Sequence, residues 1–180
     1  MHPTTRRTLL RAAGALLTLS SAPAAVLAQQ TLDPVHVTAT PTQQADALHE
    51  QALALPTETR FAKRAARMHE RSAALRAEGD TKTAECLRTA GYLRYYSGDR
   101  RAGANLLAQA AERSAETGDV VRAANAFIDA AIIAGELSDT RRAIDLRTRA
   151  ELLATSPLIS DADRTALRAR FAQWRDVAVK

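Results

Sequence analysis

Aromatic residues make up only 4% of this 180-residue chain, glycine and proline number 7 and 6, and cysteine occurs once. Each shortage excludes something. Turn formers this few, sitting mostly at segment ends, cannot supply the corners of a β-sandwich or barrel. The single Cys86 can neither close an internal disulfide nor make a metal site alone. It falls mid-helix among small and apolar residues and reads as a buried, inert thiol. A reactive thiol would want a histidine or a cationic pocket, of which the sequence gives no specific sign. No Gly-rich phosphate loop, G-x-S-x-G elbow or CxxC pair occurs.

What is abundant is alanine, forty residues within a hydrophobic share of 46%. Alanine is the strongest helix former and lets helix axes approach closely. The length suits one domain with a real core plus a leader. The isoelectric point of about 10 is not a nucleic-acid signature. Residues 1–28 carry Arg6, Arg7 and Arg11 and no acid, and without them 22 basic residues face 20 acidic ones. These charges are interspersed and form no basic stripe, so nucleic acid is not an expected partner.

Residues 1–28 have the layout of a signal peptide: three arginines, an apolar stretch from Ala12 to Leu19, then Ser20, Ser21 and Pro23. Val26-Leu27-Ala28 places small or apolar residues before a cleavage point ahead of Gln29. The stretch is too short for an ordinary membrane-spanning helix, and no cysteine near the cleavage point marks a lipoprotein. Thr5-Arg6-Arg7-Thr8-Leu9-Leu10-Arg11 resembles the twin-arginine export motif, with Leu9 and Arg11 in place of the usual Phe and Lys. That resemblance implies export of an already folded chain to the bacterial periplasm, after which only the mature protein remains. A general secretory leader with two adjacent arginines is the alternative.

After the leader, Gln29–Pro41 holds β-branched residues and two prolines with no helical period, and reads as an extended or disordered arm. From Thr42 onward helical patterning is nearly unbroken. It is punctuated at Gly79-Asp80, Gly98-Asp99, Gly118-Asp119 and Ser138-Asp139, spaced 19, 20 and 20 residues apart. A glycine ends a helix in the left-handed conformation, and an aspartate caps the next one. Breaks this short join antiparallel neighbours. The pattern predicts an all-α fold of about seven helices: Thr42–Ala54, Thr57–Glu78, Thr81–Ser97, Arg100–Thr117, Val120–Leu137, Thr140–Ala154 and Asp161–Ala178. A two-helix unit repeating about every 40 residues is the mark of an α-solenoid.

The hairpins resemble the tetratricopeptide (TPR) family. Leu87, Ala90 and Gly91, then Gly98-Asp99, then Gly103, Leu107 and Ala110 follow its helix A, turn and helix B pattern. Phe127, Ala130, Ala131, Ser138-Asp139, Ala143 and Ala150 follow it again. Small residues at these points let paired helices cross closely. Arg94, Ala134 and Arg147 depart from the family pattern, the helices are longer than its repeat, and Phe127 fits either helix, leaving the A/B phase open. The pairs His49-Glu50 and His69-Glu70, 20 residues apart, echo the repeat faintly.

Catalytic constellations are missing. Leu53 and Ala73 stand where a zincin would need its second histidine. Four histidines, one in the leader, are few for a transition-metal site. Acids mostly lie three or four positions from arginines, as on a solvated helix face. The expectation is a protein that is not an enzyme and carries no cofactor or metal.

Two surfaces are candidates for a partner. All three tyrosines, Tyr92, Tyr95 and Tyr96, fall within five residues. The TPR register implies that Glu85, Arg88, Tyr92, Tyr95 and Tyr96, followed by Asn125 and Glu136, line a groove. Tyr and Arg commonly anchor interfaces; the alternative is that the tyrosines only pack on the next hairpin. The second surface is the arm. Asp33, Val35, Val37, Thr38 and Ala39 resemble a TonB box, which implies strand pairing with the TonB C-terminal domain, although no barrel strands follow. The alternative there is a plain linker. Together these features point to an exported interaction module, self-association included, with a small periplasmic enzyme or ligand carrier as the alternative.

Overall fold

A computed structural model describes the backbone of residues 39–178 and the side chains of residues 39–172. The leader, with Arg6, Arg7 and Ala28, and arm residues Asp33, Val35, Val37 and Thr38 lie outside the described residues. Those described form seven helices and no strand: α1 Pro41–Leu53, α2 Thr59–Leu75, α3 Thr81–Tyr96, α4 Arg100–Glu116, α5 Val120–Glu136, α6 Thr140–Ala154 and α7 Asp161–Ala178. The protein is an all-α stack of antiparallel hairpins in which consecutive helices pack pairwise, except that α7 packs more on α5 than on α6. Among the described residues no helix is long and apolar enough to cross a membrane.

The joints between helices follow from two residues each. Gly98, Gly118 and Ser138 have φ of 90°, 80° and 60°, and the next aspartate faces both ways. The N–H groups of Asp99, Asp119 and Asp139 donate to the carbonyls of Arg94, Ser114 and Ala134, closing the helix behind. Their carboxylates accept from the N–H groups of Ala102, Arg122 and Arg142, capping the helix ahead. One residue thus satisfies orphan backbone groups of two helices.

Seven boundaries differ from expectation, four of them only as helix ends one residue earlier, at Leu53, Tyr96, Glu116 and Glu136. Helix α1 begins at Pro41, not Thr42, because Thr40 and Gln43 form a reciprocal capping box and proline fits the first turn. The arm therefore ends earlier, and its Ala39 is tied down, its carbonyl accepting from Gln44 Nε2 at 2.8 Å. Helix α2 starts at Thr59 and stops at Leu75, short of the expected Glu78. Arg76 leaves the helix in an extended conformation, and its guanidinium reaches Asp46 at 2.8 Å and Asp80 at 3.0 Å.

Contacts two helices apart sort the stack into two layers. One holds α1, α3, α5 and α7, linked by Lys82–Asp46, Tyr92–Asp129 and Arg170–Asp129. Arg149–Glu112 links α6 to α4 in the other. Helix α5 is the centre, with nine buried residues from Ala123 to Ala134, including Phe127, Ile128 and Ile133. Small residues do what the spacing requires: a Cβ on Gly103 would lie 2.9 Å from the Gly91 carbonyl oxygen, so α3 and α4 touch backbone to backbone. Two departures from the family pattern have structural uses. Arg94 clasps Glu70 of α2 with two hydrogen bonds, and Arg147 pairs with Glu151 on its own helix.

Candidate functional site: a polar groove on α3, α5 and α7

Helix α3 offers one face to α5, and the side chains there converge. Tyr92 donates its hydroxyl proton to Asp129, four residues beyond Asn125 on α5. Arg170, arriving from α7, donates to both Asn125 and Asp129. Burial, reinforced by the hydrogen bond to Asp129, pushes the Tyr92 phenol above its ordinary range, so it remains a neutral donor. Tyr95, one turn on, donates to both carboxylate oxygens of Glu136 at 3.1 Å. Tyr96 has no such engagement and is 71% exposed.

These residues surround an open cleft of about 430 Å³ lined by Arg88, Tyr92, Arg122, Asn125, Asp129 and Arg170. A smaller cleft of about 120 Å³ adjoins it along Tyr92, Tyr95, Tyr96 and Ile132. The charges in the larger cleft are matched with one exception. Arg122 pairs with Asp119 at 3.2 Å and Arg170 with Asp129, whereas Arg88 meets no carboxylate among the described residues. A cleft of about 360 Å³ at the ends of α2 and α4 lacks such a group, since its Arg76 pairs with Asp80 and its Arg113 with Glu116.

Of the residues expected to line a groove, Arg88, Tyr92 and Asn125 share the larger cleft, and Tyr95 and Tyr96 the smaller. Glu136 lines neither, because it is held by Tyr95 and lies 3.8 Å from Arg100. Glu85 is exposed and lines neither cleft. Sequence reasoning missed Asp129 and Arg170. Asp129 was within reach, as the residue one turn after Asn125 on the same helix face. Arg170 was not, because it is 41 residues from Asp129 and on a helix whose packing breaks the consecutive pattern.

The structure also corrects the reading of Cys86 as a thiol without a histidine. Its Sγ lies 3.5 Å from His49 Nδ1, and that nitrogen lies 3.3 Å from His69 Nδ1. Cys86 and His69 are buried and His49 is half-buried. Burial, with a smaller contribution from His49, holds the His69 imidazole down at about 4, leaving it neutral near pH 7. Neither Cys86–His49 nor His49–His69 is a sequence neighbour pair; the register of α1, α2 and α3 brings them together.

Comparison with known protein families, with curated proteins and with solved structures gave no match.

Proposed function

We propose that this chain is an exported, non-catalytic interaction module of the bacterial envelope, whose groove takes a carboxylate-bearing peptide segment of a partner protein. The observation that carries the reading is Arg88, a guanidinium with no carboxylate partner among the described residues, in an open cleft whose other charges are already matched. A guanidinium presents two parallel N–H donors to a carboxylate, and such pairs are among the stronger polar contacts. The Tyr92–Asp129–Arg170 network holds the floor of the cleft in one arrangement before any partner arrives, which lowers the ordering cost of binding. Tyr96 beside it offers an exposed aromatic anchor.

The cleft is broad and open, which suits a chain segment better than an enclosed small molecule. Its mostly polar lining supports a second reading, a carrier of a small anionic ligand. The leader resembling a twin-arginine signal supports a periplasmic location, and the hairpin pattern supports TPR-like ancestry. On the same proposal the arm from Asp33 to Ala39 would be a second contact, made with the C-terminal domain of TonB.

Affinity capture from envelope extracts tests the main reading, with wild type beside Arg88→Glu. Among the described residues Arg88 has no carboxylate to lose, so the substitution breaks no ion pair there. A polypeptide retained by wild type and lost by Arg88→Glu is expected. Equal capture by both proteins would refute the role given to the groove.

A further inference from the structure

The interior changes character along the stack. From α4 to α7 the described interior is built of Ala, Leu, Ile and Phe, with Ser114 its one fully buried polar side chain. Among α1, α2 and α3 the largest fully buried side chains are His69, Ser72 and Cys86. Polar groups in a core are costly unless each finds a partner, and here Arg76 Nε and Thr83 Oγ1 do not. Arg76 is buried beside them with its Nε lacking any hydrogen-bond partner, although its guanidinium lies against Cys86. Ser72 is already committed, donating to the Ala45 carbonyl at 2.7 Å.

We propose that His49, His69 and Cys86 form a transition-metal site, with zinc(II) as the ion that their spacing fits. Zinc binds imidazole nitrogen at about 2.0–2.1 Å and thiolate sulfur at about 2.3 Å in tetrahedral geometry. Those lengths set the edges of the tetrahedron at roughly 3.3 Å between two nitrogens and 3.6 Å between nitrogen and sulfur. The observed separations are 3.3 Å for His49–His69 and 3.5 Å for His49–Cys86. All three donor atoms lie within 4.8 Å of one another, so the third edge closes with a side-chain movement of about 1 Å. Imidazole and thiolate donors favour zinc and its neighbours over magnesium or calcium.

Surroundings agree with the donors. Metal-bound sulfur is a stronger hydrogen-bond acceptor than a thiol, and the Arg76 guanidinium beside Cys86 is a donor that could use it, a typical outer-shell support. Half-buried His49 provides the way in, and three protein ligands leave a fourth position for water. The ligands come from three successive helices, so the ion would clamp the first hairpin to the second and couple metal binding to folding. This site shares no residue with the groove, and its failure would leave the proposed function standing.

The test uses the purified chain, reduced and stripped with a chelator, and titrated with cobalt(II) as a spectroscopic stand-in for zinc. One equivalent should bind, with the visible bands of tetrahedral cobalt and a near-ultraviolet thiolate-to-metal band, and zinc should displace it. Zinc should also raise the melting temperature. Cys86→Ser should lose the near-ultraviolet band and bind at least about tenfold more weakly. His49→Gln, at a half-buried position, should weaken binding as much with unchanged circular dichroism, and it decides the matter if Cys86→Ser does not fold. Wild-type binding no tighter than that of His49→Gln, or cobalt bound without a thiolate band, would overturn the proposal.

Discussion

Substituting alanine at two helical glycines should change stability in opposite directions. Alanine in a helix interior is favoured over glycine by about 0.5–1 kcal/mol, because the unfolded chain loses less backbone freedom. At Gly135 that gain meets no opposition, since a Cβ there would find nothing within 4 Å. At Gly103 it meets the backbone of α3. The added carbon would lie 2.9 Å from the Gly91 oxygen and 3.0 Å from the Tyr95 nitrogen. Ordinary contact begins near 3.4 Å, so α3 must back away from α4 by about half an ångström along the crossing. Neither obstacle is a side-chain tip that can rotate aside, and overpacking of this kind costs about 1–3 kcal/mol. The expected net result is Gly103→Ala destabilised by roughly 0.5–2 kcal/mol and Gly135→Ala stabilised by up to about 1 kcal/mol. Urea unfolding followed by circular dichroism measures both, with the slope checked for two-state behaviour. A Gly103→Ala protein as stable as wild type would mean that the two helices do not cross as closely as described.

Other consequences can be measured on the same material. Ser138 holds φ of 60° where the equivalent joints use glycine, so Ser138→Gly should gain roughly 1 kcal/mol; a loss would show that the hydroxyl has an undetected partner. His69 takes up its proton near 6.5 when unfolded but only at about 4 when folded. Between those values the unfolded chain binds more protons, so stability is full above pH 6.5 and falls as pH drops to about 4. The total is on the order of 3 kcal/mol. In metal-free protein, His69→Gln should flatten that part of the profile, and an unchanged slope would remove His69 as its source. For the leader, replacing Arg6 and Arg7 with lysine should trap the precursor in the cytoplasm if export is by the twin-arginine route, and normal export would assign it to the general secretory route.

The joints were legible because capping is local chemistry. A glycine in the left-handed region and an aspartate two or three residues from the N–H groups it caps need no information from elsewhere in the chain. Thr40-x-x-Gln43 carried a readable capping box too, and reading it would have started α1 one residue earlier. Arg76 was harder, since nothing adjacent ends that helix; the distant Asp46 draws its guanidinium. The groove was half legible for the same reason. Arg88, Tyr92 and Asn125 follow from helix faces, but Glu85 and Arg170 are placed by interhelical register. The register of α1, α2 and α3 also decides that Cys86 meets His49, and no local pattern encodes it.

Site-specific photo-cross-linking in the envelope tests the central claim, that the α3–α5–α7 groove receives a partner, most directly. A photoreactive residue replaces Tyr96, which is 71% exposed beside the groove, or Leu152 of α6, which is 66% exposed and lines neither groove cleft. A groove that receives a partner gives a discrete cross-linked polypeptide from position 96, none from position 152, and loss of the product when Arg88→Glu is added. No product from position 96, or one that survives Arg88→Glu, would contradict it.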